Sequence, residues 1–238
     1  MTQPSVITAS SISYEPTANS GTTRTFSSVS IPANCNTFMV LIVLSGAESA
    51  ANWTDVTFNG VGAVKLHQID VSASATIRAT IAAVFDTSNI GAVTGDIIGT
   101  LDASVTFRGM LGVVCTTGFL ENFSASQDRS ANIGRTTVWS PNYDNNIQVL
   151  MGGQDRDADL FSVSEGVELY ADDPTGFVDP VAWAAYQTTN QANDQKSIRY
   201  YAASEEIAEM CYLISSQRNP YGAFATQTGP VIKHNVIT

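Results

Sequence analysis

Short segments rich in β-branched and aromatic residues recur along this chain, separated by clusters of Gly, Asn, Asp, Ser and Pro. Segments of this length without helical periodicity predict strands joined by turns. The candidates are TRTFSSVSI, DIIGTL, VTFRGMLGVVCTTG, RTTVW, IQVLMG, VELYA, VAWAAYQTT, SIRYYAA and MCYLISS. Roughly ten or more such strands indicate an all-β fold, an antiparallel, jelly-roll-like β-sandwich.

Two further segments predict how strands are buried. TFMVLIVLSG, residues 37–46, is a continuous apolar run and predicts a strand buried on both faces, at the centre of a sheet or under a subunit contact. TIRATIAAVFD, residues 76–86, alternates, so that Ile77, Ile81 and Phe85 share one face. We expect its other face to be wet or to pack against a neighbour.

The chain of 238 residues is short enough to form one sandwich domain, which we place at residues 23–216. Residues 1–22 and 217–238 are polar and weakly periodic, which is typical of extended arms that lie on a surface or order against neighbouring subunits. ASEEIAEM, residues 203–210, is the only candidate helical turn; the alternative is a loop leading into the last strand.

Composition disfavours several classes of partner. A net charge of -11 without a strong basic run should repel nucleic acids and anionic lipid surfaces, so we expect neither as a partner. Neither a signal sequence nor a run of transmembrane length is evident, so we expect synthesis in a cytoplasm. Three widely separated cysteines favour buried reduced thiols over a disulfide framework or a metal site.

The stretch TFNGVGAVKL, residues 57–66, is the nearest approach to a phosphate-binding motif. A dinucleotide fingerprint needs a third glycine where Lys65 stands, and a Walker A loop needs glycine where Val64 stands. Asn59 and Gly60 can both adopt positive φ, so the stretch instead predicts a type I′ turn joining two antiparallel strands.

An acidic loop offers the best candidate metal ligands. Asp155, Asp157 and Asp159 have the alternate spacing that opens an EF-hand loop. Leu160 replaces the required glycine and Gly166 replaces the bidentate glutamate, so an EF-hand is excluded. The alternatives are a different calcium site built on these aspartates or a solvated acidic loop, and we expect no other cofactor.

Catalytic signatures are weak throughout the sequence. There is no Gly-x-Ser-x-Gly elbow, only two histidines occur, and no pair of carboxylates is selected by spacing. We therefore expect a protein that is not an enzyme. Trp139 and Tyr143 flank a loop-like SPN stretch and are the aromatic residues that we expect to be exposed for binding.

The succession NTFMVLIVLSG, WTDVTFNGVGAVKL, ATIAAVFDTSN and TGDIIGTLDASVTFRGMLGVVCTTG resembles a family of jelly-roll domains found in virion proteins of tailed phages and in some bacterial surface proteins. In that family a hydrophobic strand precedes a V-T-(aromatic)-(Asn/Gly)-G-V hairpin. The resemblance covers about residues 22–120 and carries no catalytic residue.

The resemblance implies a bacteriophage virion structural protein, made in the host cytoplasm. A capsid decoration or cement protein is the first expectation, acting as a homo-oligomer, with a trimer as the expected form, that binds the major capsid protein or another virion protein. Candidate oligomer or shell contacts are Phe38, Val40, Ile42, Tyr221 and Phe224. The alternative is a tail- or head-fibre module that binds a receptor or carbohydrate, with or without calcium.

Overall fold

The structure is a computed structural model whose described residues form antiparallel β-strands and no helix. The described residues are 2–14, 21–45, 51–69, 77–87, 91–105, 108–128, 133–139, 144–154, 161–172, 181–191, 196–202, 207–217 and 231–236. Their strands in chain order are β1 (Val6–Tyr14), β2 (Gly21–Ile31), β3 (Thr37–Ser45), β4 (Trp53–Phe58), β5 (Val61–Gly62), β6 (Lys65–Ile69), β7 (Ile77–Asp86), β8 (Val93–Val105), β9 (Arg108–Thr116), β10 (Phe119–Asp128), β11 (Ile133–Trp139), β12 (Asn146–Gln154), β13 (Phe161–Glu165), β14 (Val167–Asp172), β15 (Val181–Thr189), β16 (Lys196–Ala202), β17 (Ile207–Ser215) and β18 (Val231–Val236).

The strands form four sheets, two from each half of the chain. The N-outer sheet has the order β2-β8-β4-β5 and the N-inner sheet β1-β9-β3-β7-β6. The C-inner sheet has the order β10-β17-β12-β15-β14 and the C-outer sheet β13-β16-β11-β18. The polypeptide passes from the first half to the second between β9 and β10.

Three apolar cores separate the four sheets, so the layers stack in the order N-outer, N-inner, C-inner, C-outer. The N-core lies between the two N-terminal sheets and contains Phe26, Phe38 and Phe58. The central core joins the two inner sheets and combines side chains of β3, such as Leu41, with side chains of β12 and β17. The C-core lies between the two C-terminal sheets and contains Trp183.

The two halves share one strand order. To compare the halves, we renumber the strands of each half from 1 in chain order and count β5 and β6 as a single bent strand. Strands 1 to 8 are then β1 to β9 in the first half and β10 to β17 in the second. In both halves the inner sheet has the order 1-8-3-6-5, and the outer sheet contains the order 2-7-4. The two inner sheets pack face to face with their strand orders running in opposite directions, since β1 contacts β14, β3 contacts β12, and β6 contacts β10. Because strand 1 of each half meets strand 5 of the other, the halves are arranged as in an isologous, twofold-related dimer.

The prediction of an antiparallel, sandwich-like all-β fold is confirmed. Residues 37–46 were predicted to form a strand buried on both faces; β3 occupies the middle of its sheet, and Phe38 to Leu44 are at most 1% exposed. The second face of β7 is not wet, because Ala82 and Val84 pack into the central core. Stacking, rather than a helix layer or a subunit contact, therefore buries both faces of these strands.

Three expectations differ from the structure. Where one sandwich over residues 23–216 was expected, the chain forms two stacked sandwiches. The predicted arms each contain a strand, since β1 pairs with β9 and β18 pairs with β11. A helical turn in ASEEIAEM is wrong for residues 207–210, which begin β17; that strand is buried along its whole length between β10 and β12.

Candidate functional sites at two equivalent corners

A tight hairpin leads into the first candidate site. Asn59 has φ 49° and Gly60 has φ 78°, and Phe58 pairs with Val61 across the turn. Positive φ at both central residues is the signature of a type I′ turn, which confirms the hairpin prediction. The Asn59 side chain accepts a hydrogen bond from the Asp96 N–H at 3.2 Å, which ties the turn to β8.

Directly after the hairpin the chain crosses from the N-outer to the N-inner sheet. The Ala63 N–H donates to the Val56 carbonyl oxygen in the outer sheet at 3.1 Å, whereas the Val64 N–H donates to the Val84 carbonyl oxygen in the inner sheet at 2.8 Å. The crossing leaves apolar side chains outside both layers. We call Val61, Val64 and Leu66, which are 58%, 55% and 38% exposed, the N-corner.

The second half makes the same crossing through a glycine. Gly166 joins β13 of the C-outer sheet to β14 of the C-inner sheet with φ 111°, a conformation that other residues rarely adopt. A Cβ at Gly166 would also lie 3.0 Å from the Tyr186 carbonyl oxygen. Val167 follows and is 49% exposed; we call it the C-corner.

Among the side chains that the structure describes, the exposed large apolar ones are those of the N-corner and the C-corner. Both corners lie where strand 4 leads into strand 5 of their half. Because the inner sheets stack in reverse, β6 lies over β10 and β14 over β1, so the corners occupy opposite edges of the molecule.

Each corner adjoins the edge of a sheet. Among the described strands, β6 pairs with β7 alone and β14 with β15 alone. The other side of such an edge strand presents backbone N–H and C=O groups that can pair with another chain. Each corner therefore combines apolar side chains with hydrogen-bonding backbone.

The two corners differ in charge. Beside the N-corner, the His67 ring packs against Phe123 at 6.0 Å between centroids, and burial lowers the pKa of His67 below 6.5, so the imidazole is neutral at pH 7. Beside the C-corner, Glu165 pairs with Arg199 at 3.3 Å and accepts a hydrogen bond from Ser197, while Glu168 is exposed. The C-corner is thus the more acidic of the two.

A buried polar cluster in the C-core was not anticipated from the sequence. Gln148, Glu209 and Cys211 are each 0% exposed, and the Gln148 side-chain amide donates to the Cys211 sulfur at 2.8 Å. Burial raises the pKa of Cys211, with a smaller rise from the charge of Glu209. Because these side chains have no exposed surface, they affect packing within the sandwich. The only sign of this cluster in the sequence is one polar residue in each of two otherwise apolar strand segments.

Phe38, Val40 and Ile42, predicted to contact other subunits or a shell, lie in the N-core with 0% exposure. Their side chains face the N-outer sheet of the same chain and offer no surface to a partner. Trp139 ends β11, paired with Lys196, instead of lying in a loop, and its side chain lies outside the described residues. The remaining predicted site residues also lie outside them: Tyr143, Asp155, Asp157, Asp159, Tyr221 and Phe224.

Within the described ranges, no group of three His, Cys, Asp or Glu side chains is placed to hold a metal ion. None of the described residues forms a helix long and apolar enough to cross a membrane. No protein-family model, curated protein or solved structure matches this chain.

Proposed function

We propose that this chain is a non-enzymatic structural protein of a phage virion, a decoration or cement protein that uses its two corners to join neighbouring virion proteins. The observation that carries the proposal is the placement of exposed apolar side chains at two equivalent corners on opposite edges of the molecule. Clustered apolar surface beside an open strand edge marks a site of protein association.

The strand pairing supports the jelly-roll part of the resemblance. In the first half, strands pair 1 with 8, 2 with 7, 3 with 6, and 4 with 5, as when one long hairpin is rolled up. The second half repeats the first three of these pairings. This repetition extends the pattern beyond residues 22–120, the part of the chain that carries the sequence resemblance.

A molecule with two equivalent contacts is suited to cementing. Binding at one corner brings the other close to a second site, so that the two contacts together bind far more tightly than either alone. A protein that binds only the assembled shell also shifts the assembly equilibrium toward that shell. The expected homo-oligomer would be built from the same corners, because the apolar faces of the inner sheets are already covered within one chain.

The proposal is tested by measuring solution mass with light scattering and then co-sedimentation with empty shells of the same source. The N-corner variant combines Val61→Ser, Val64→Ser and Leu66→Ser; the C-corner variant is Val167→Ser. A matched control is Ala103→Ser, an exposed position on β8. Surface substitutions of this kind change stability by about 0.5 kcal/mol or less, so the fold is retained.

We expect the wild type and the control to bind shells, and each corner variant to bind about 10²-fold more weakly, because one of two linked contacts is lost. Shell binding that survives both corner variants would refute the role of the corners. A monomer that ignores shells would refute the cement function, and glycan binding with and without calcium would then be measured.

A further inference from the structure

The two corners carry charged residues of opposite sign. In the sequence, Lys65 lies between Val64 and Leu66 of the N-corner, and β6 contains no acidic residue. At the C-corner, Glu168 directly follows Val167 and is exposed, and β14 contains no basic residue. Each corner thus combines exposed apolar side chains with one sign of charge, and the two signs are complementary.

An ion pair beside the C-corner makes Glu168 the source of its negative charge. The Glu165 carboxylate lies 3.3 Å from a guanidinium nitrogen of Arg199, so these two charges balance each other. Glu168 stands next to the apolar Val167, at the start of the open edge of β14. A partner that fits this corner must therefore offer apolar side chains together with a positive charge.

We propose that the N-corner of one copy of this chain binds the C-corner of a second copy, so that copies join head to tail. The inference rests on the proposed role of the corners in association and names the partner of each corner. Val64 and Leu66 of one copy pack on Val167 of the next, and Lys65 faces Glu168. A contact between unlike surfaces is heterologous, and it repeats from copy to copy to give a closed ring or an open row.

Charge disfavours contacts between like corners. Two N-corners in one interface bring two copies of Lys65 together, and two C-corners bring two copies of Glu168 together. Like charges across an interface oppose association. A contact between like corners also leaves the other corner of each copy exposed. Because the two corners lie on opposite edges of the molecule, the unlike contact instead covers both kinds of corner along the assembly.

The open strand edges add backbone hydrogen bonds to this contact. Among the described strands, β6 pairs with β7 alone, along five residues without a register shift. β14 pairs with β15 alone, and its register shifts between Glu168 and Tyr170, so the regular part of its edge beside the corner is short. A short edge supplies few backbone hydrogen bonds, so apolar packing and the charge pair determine which corners bind each other.

The test reverses each charge in the full chain and is carried out without shells. Lys65→Glu and Glu168→Lys are compared with the wild type by light scattering and sedimentation over a concentration series at low salt. Ala103→Glu and Ala103→Lys, at an exposed position on β8, are matched controls for added charge of either sign. Equal melting temperatures show that the variants fold as the wild type does, as surface substitutions normally do.

We expect the wild type and the controls to exceed the mass of two chains. Each charge reversal should weaken association about tenfold or more, because like charges then meet at every contact. When the two reversed variants are mixed in equal amounts, association should return, since each finds the opposite charge on the other. The chain that carries both reversals should recover for the same reason, and high salt should reduce all these differences.

Serine variants of the two corners test the apolar part of the contact. The N-corner variant and the C-corner variant each lack one half of the unlike contact, so each alone should remain monomeric. Their mixture retains one intact N-corner and one intact C-corner. It should therefore form pairs that contain one copy of each variant, and these pairs should not grow further.

Contacts between like corners would give a different pattern. If the wild type stops at a dimer, or if one charge reversal or neither weakens association, the proposal is overturned. A monomeric wild type, or weakened variants that do not associate when mixed, overturns it as well. Failure of the proposed function is distinguishable: head-to-tail copies that ignore shells refute only the cement role, whereas monomers that bind shells through the corners refute only this inference.

Discussion

The N-core and the C-core fill the same strand frame with different chemistry. In the N-core, three phenylalanine rings, Phe38, Phe58 and Phe85, pack with centroids 5.7 to 6.4 Å apart. In the C-core, Trp183 packs on Tyr200 with ring centroids 4.8 Å apart, and elsewhere in this core the buried side chain of Gln148 contacts Cys211. The same strand topology is thus compatible with an apolar core in the first half of the chain and a partly polar core in the second half.

The difference teaches that strand order does not dictate which side chains fill the core, provided that the volume of the core is filled. β3 and β12 hold the same central place, yet β3 brings Val40 and Ile42 to its core whereas β12 brings Gln148 and Gly152. Trp183 occupies the space that a side chain at Gly152 would need. A large ring over a glycine thus replaces the packing that β3 achieves with aliphatic side chains.

The largest expected effect on stability comes from introducing into β3 a buried side-chain amide like that of Gln148 in β12. Val40→Gln buries that amide among the apolar side chains of the N-core and should lower the free energy of unfolding by about 3 kcal/mol. Val40→Leu is the control, since leucine has a similar size without polar atoms. Urea denaturation measures both, and equal losses in the two variants would show that volume, not polarity, separates the cores.

A second prediction concerns the central core, which couples the two halves. Gly153 of β12 lies against Val43 of β3, and a Cβ at Gly153 would overlap the Val43 side chain. Gly153→Ala should therefore cost about 1–3 kcal/mol. Val43→Ala in the same chain should recover part of that loss, and the double-mutant cycle should give a coupling of at least 0.5 kcal/mol. Strictly additive changes in the free energy of unfolding would mean that Gly153 and Val43 are not in contact.

Individual strands could be predicted from the sequence, but their stacking could not. VAWAAYQTT matches the bounds of β15, and the Asn59-Gly60 hairpin was found because only a few residues tolerate positive φ. A strand buried on both faces, such as β3, carries no signal for which layer covers it. The repeat was hidden for the same reason that the cores differ: equivalent strands contain different side chains.

The corners were missed for a physical reason. In VGAVKL, the apolar residues look like core positions of one continuous strand, and only the crossing between sheets after Ala63 leaves Val64 and Leu66 outside.

A third prediction tests how much the polar filling of the C-core matters. Gln148→Leu removes an amide whose oxygen has no hydrogen-bond partner among the described residues and whose nitrogen donates only to the weak acceptor Cys211. The free energy of unfolding should change by about 1 kcal/mol or less. Gln148→Ala, which leaves a cavity, should be clearly less stable. A large loss in Gln148→Leu would reveal a requirement for the amide.

The smallest expected effect lies on the surface of the N-terminal sandwich. Asp102 of β8 accepts hydrogen bonds from the Asn52 N–H and side-chain amide, both at 2.8 Å, and the Asn52 side chain accepts a further hydrogen bond from Gln68 of β6. This chain of contacts ties the N-outer to the N-inner sheet. The hydrogen bonds from Asn52 lower the pKa of Asp102 below its ordinary value of 3.8.

Because the folded pKa is the lower one, the stabilisation by Asp102 is present above pH 3.8 and is lost as pH falls through the folded pKa. Asp102→Asn should therefore melt slightly below the wild type at pH 7, and the difference in melting temperature should close as the pH falls below the folded pKa of Asp102. Thermal melts of both proteins across this range measure it, with Asp96→Asn as a control on the same strand. A gap that persists at the lowest pH would show that Asp102 acts through packing geometry and not through its charge.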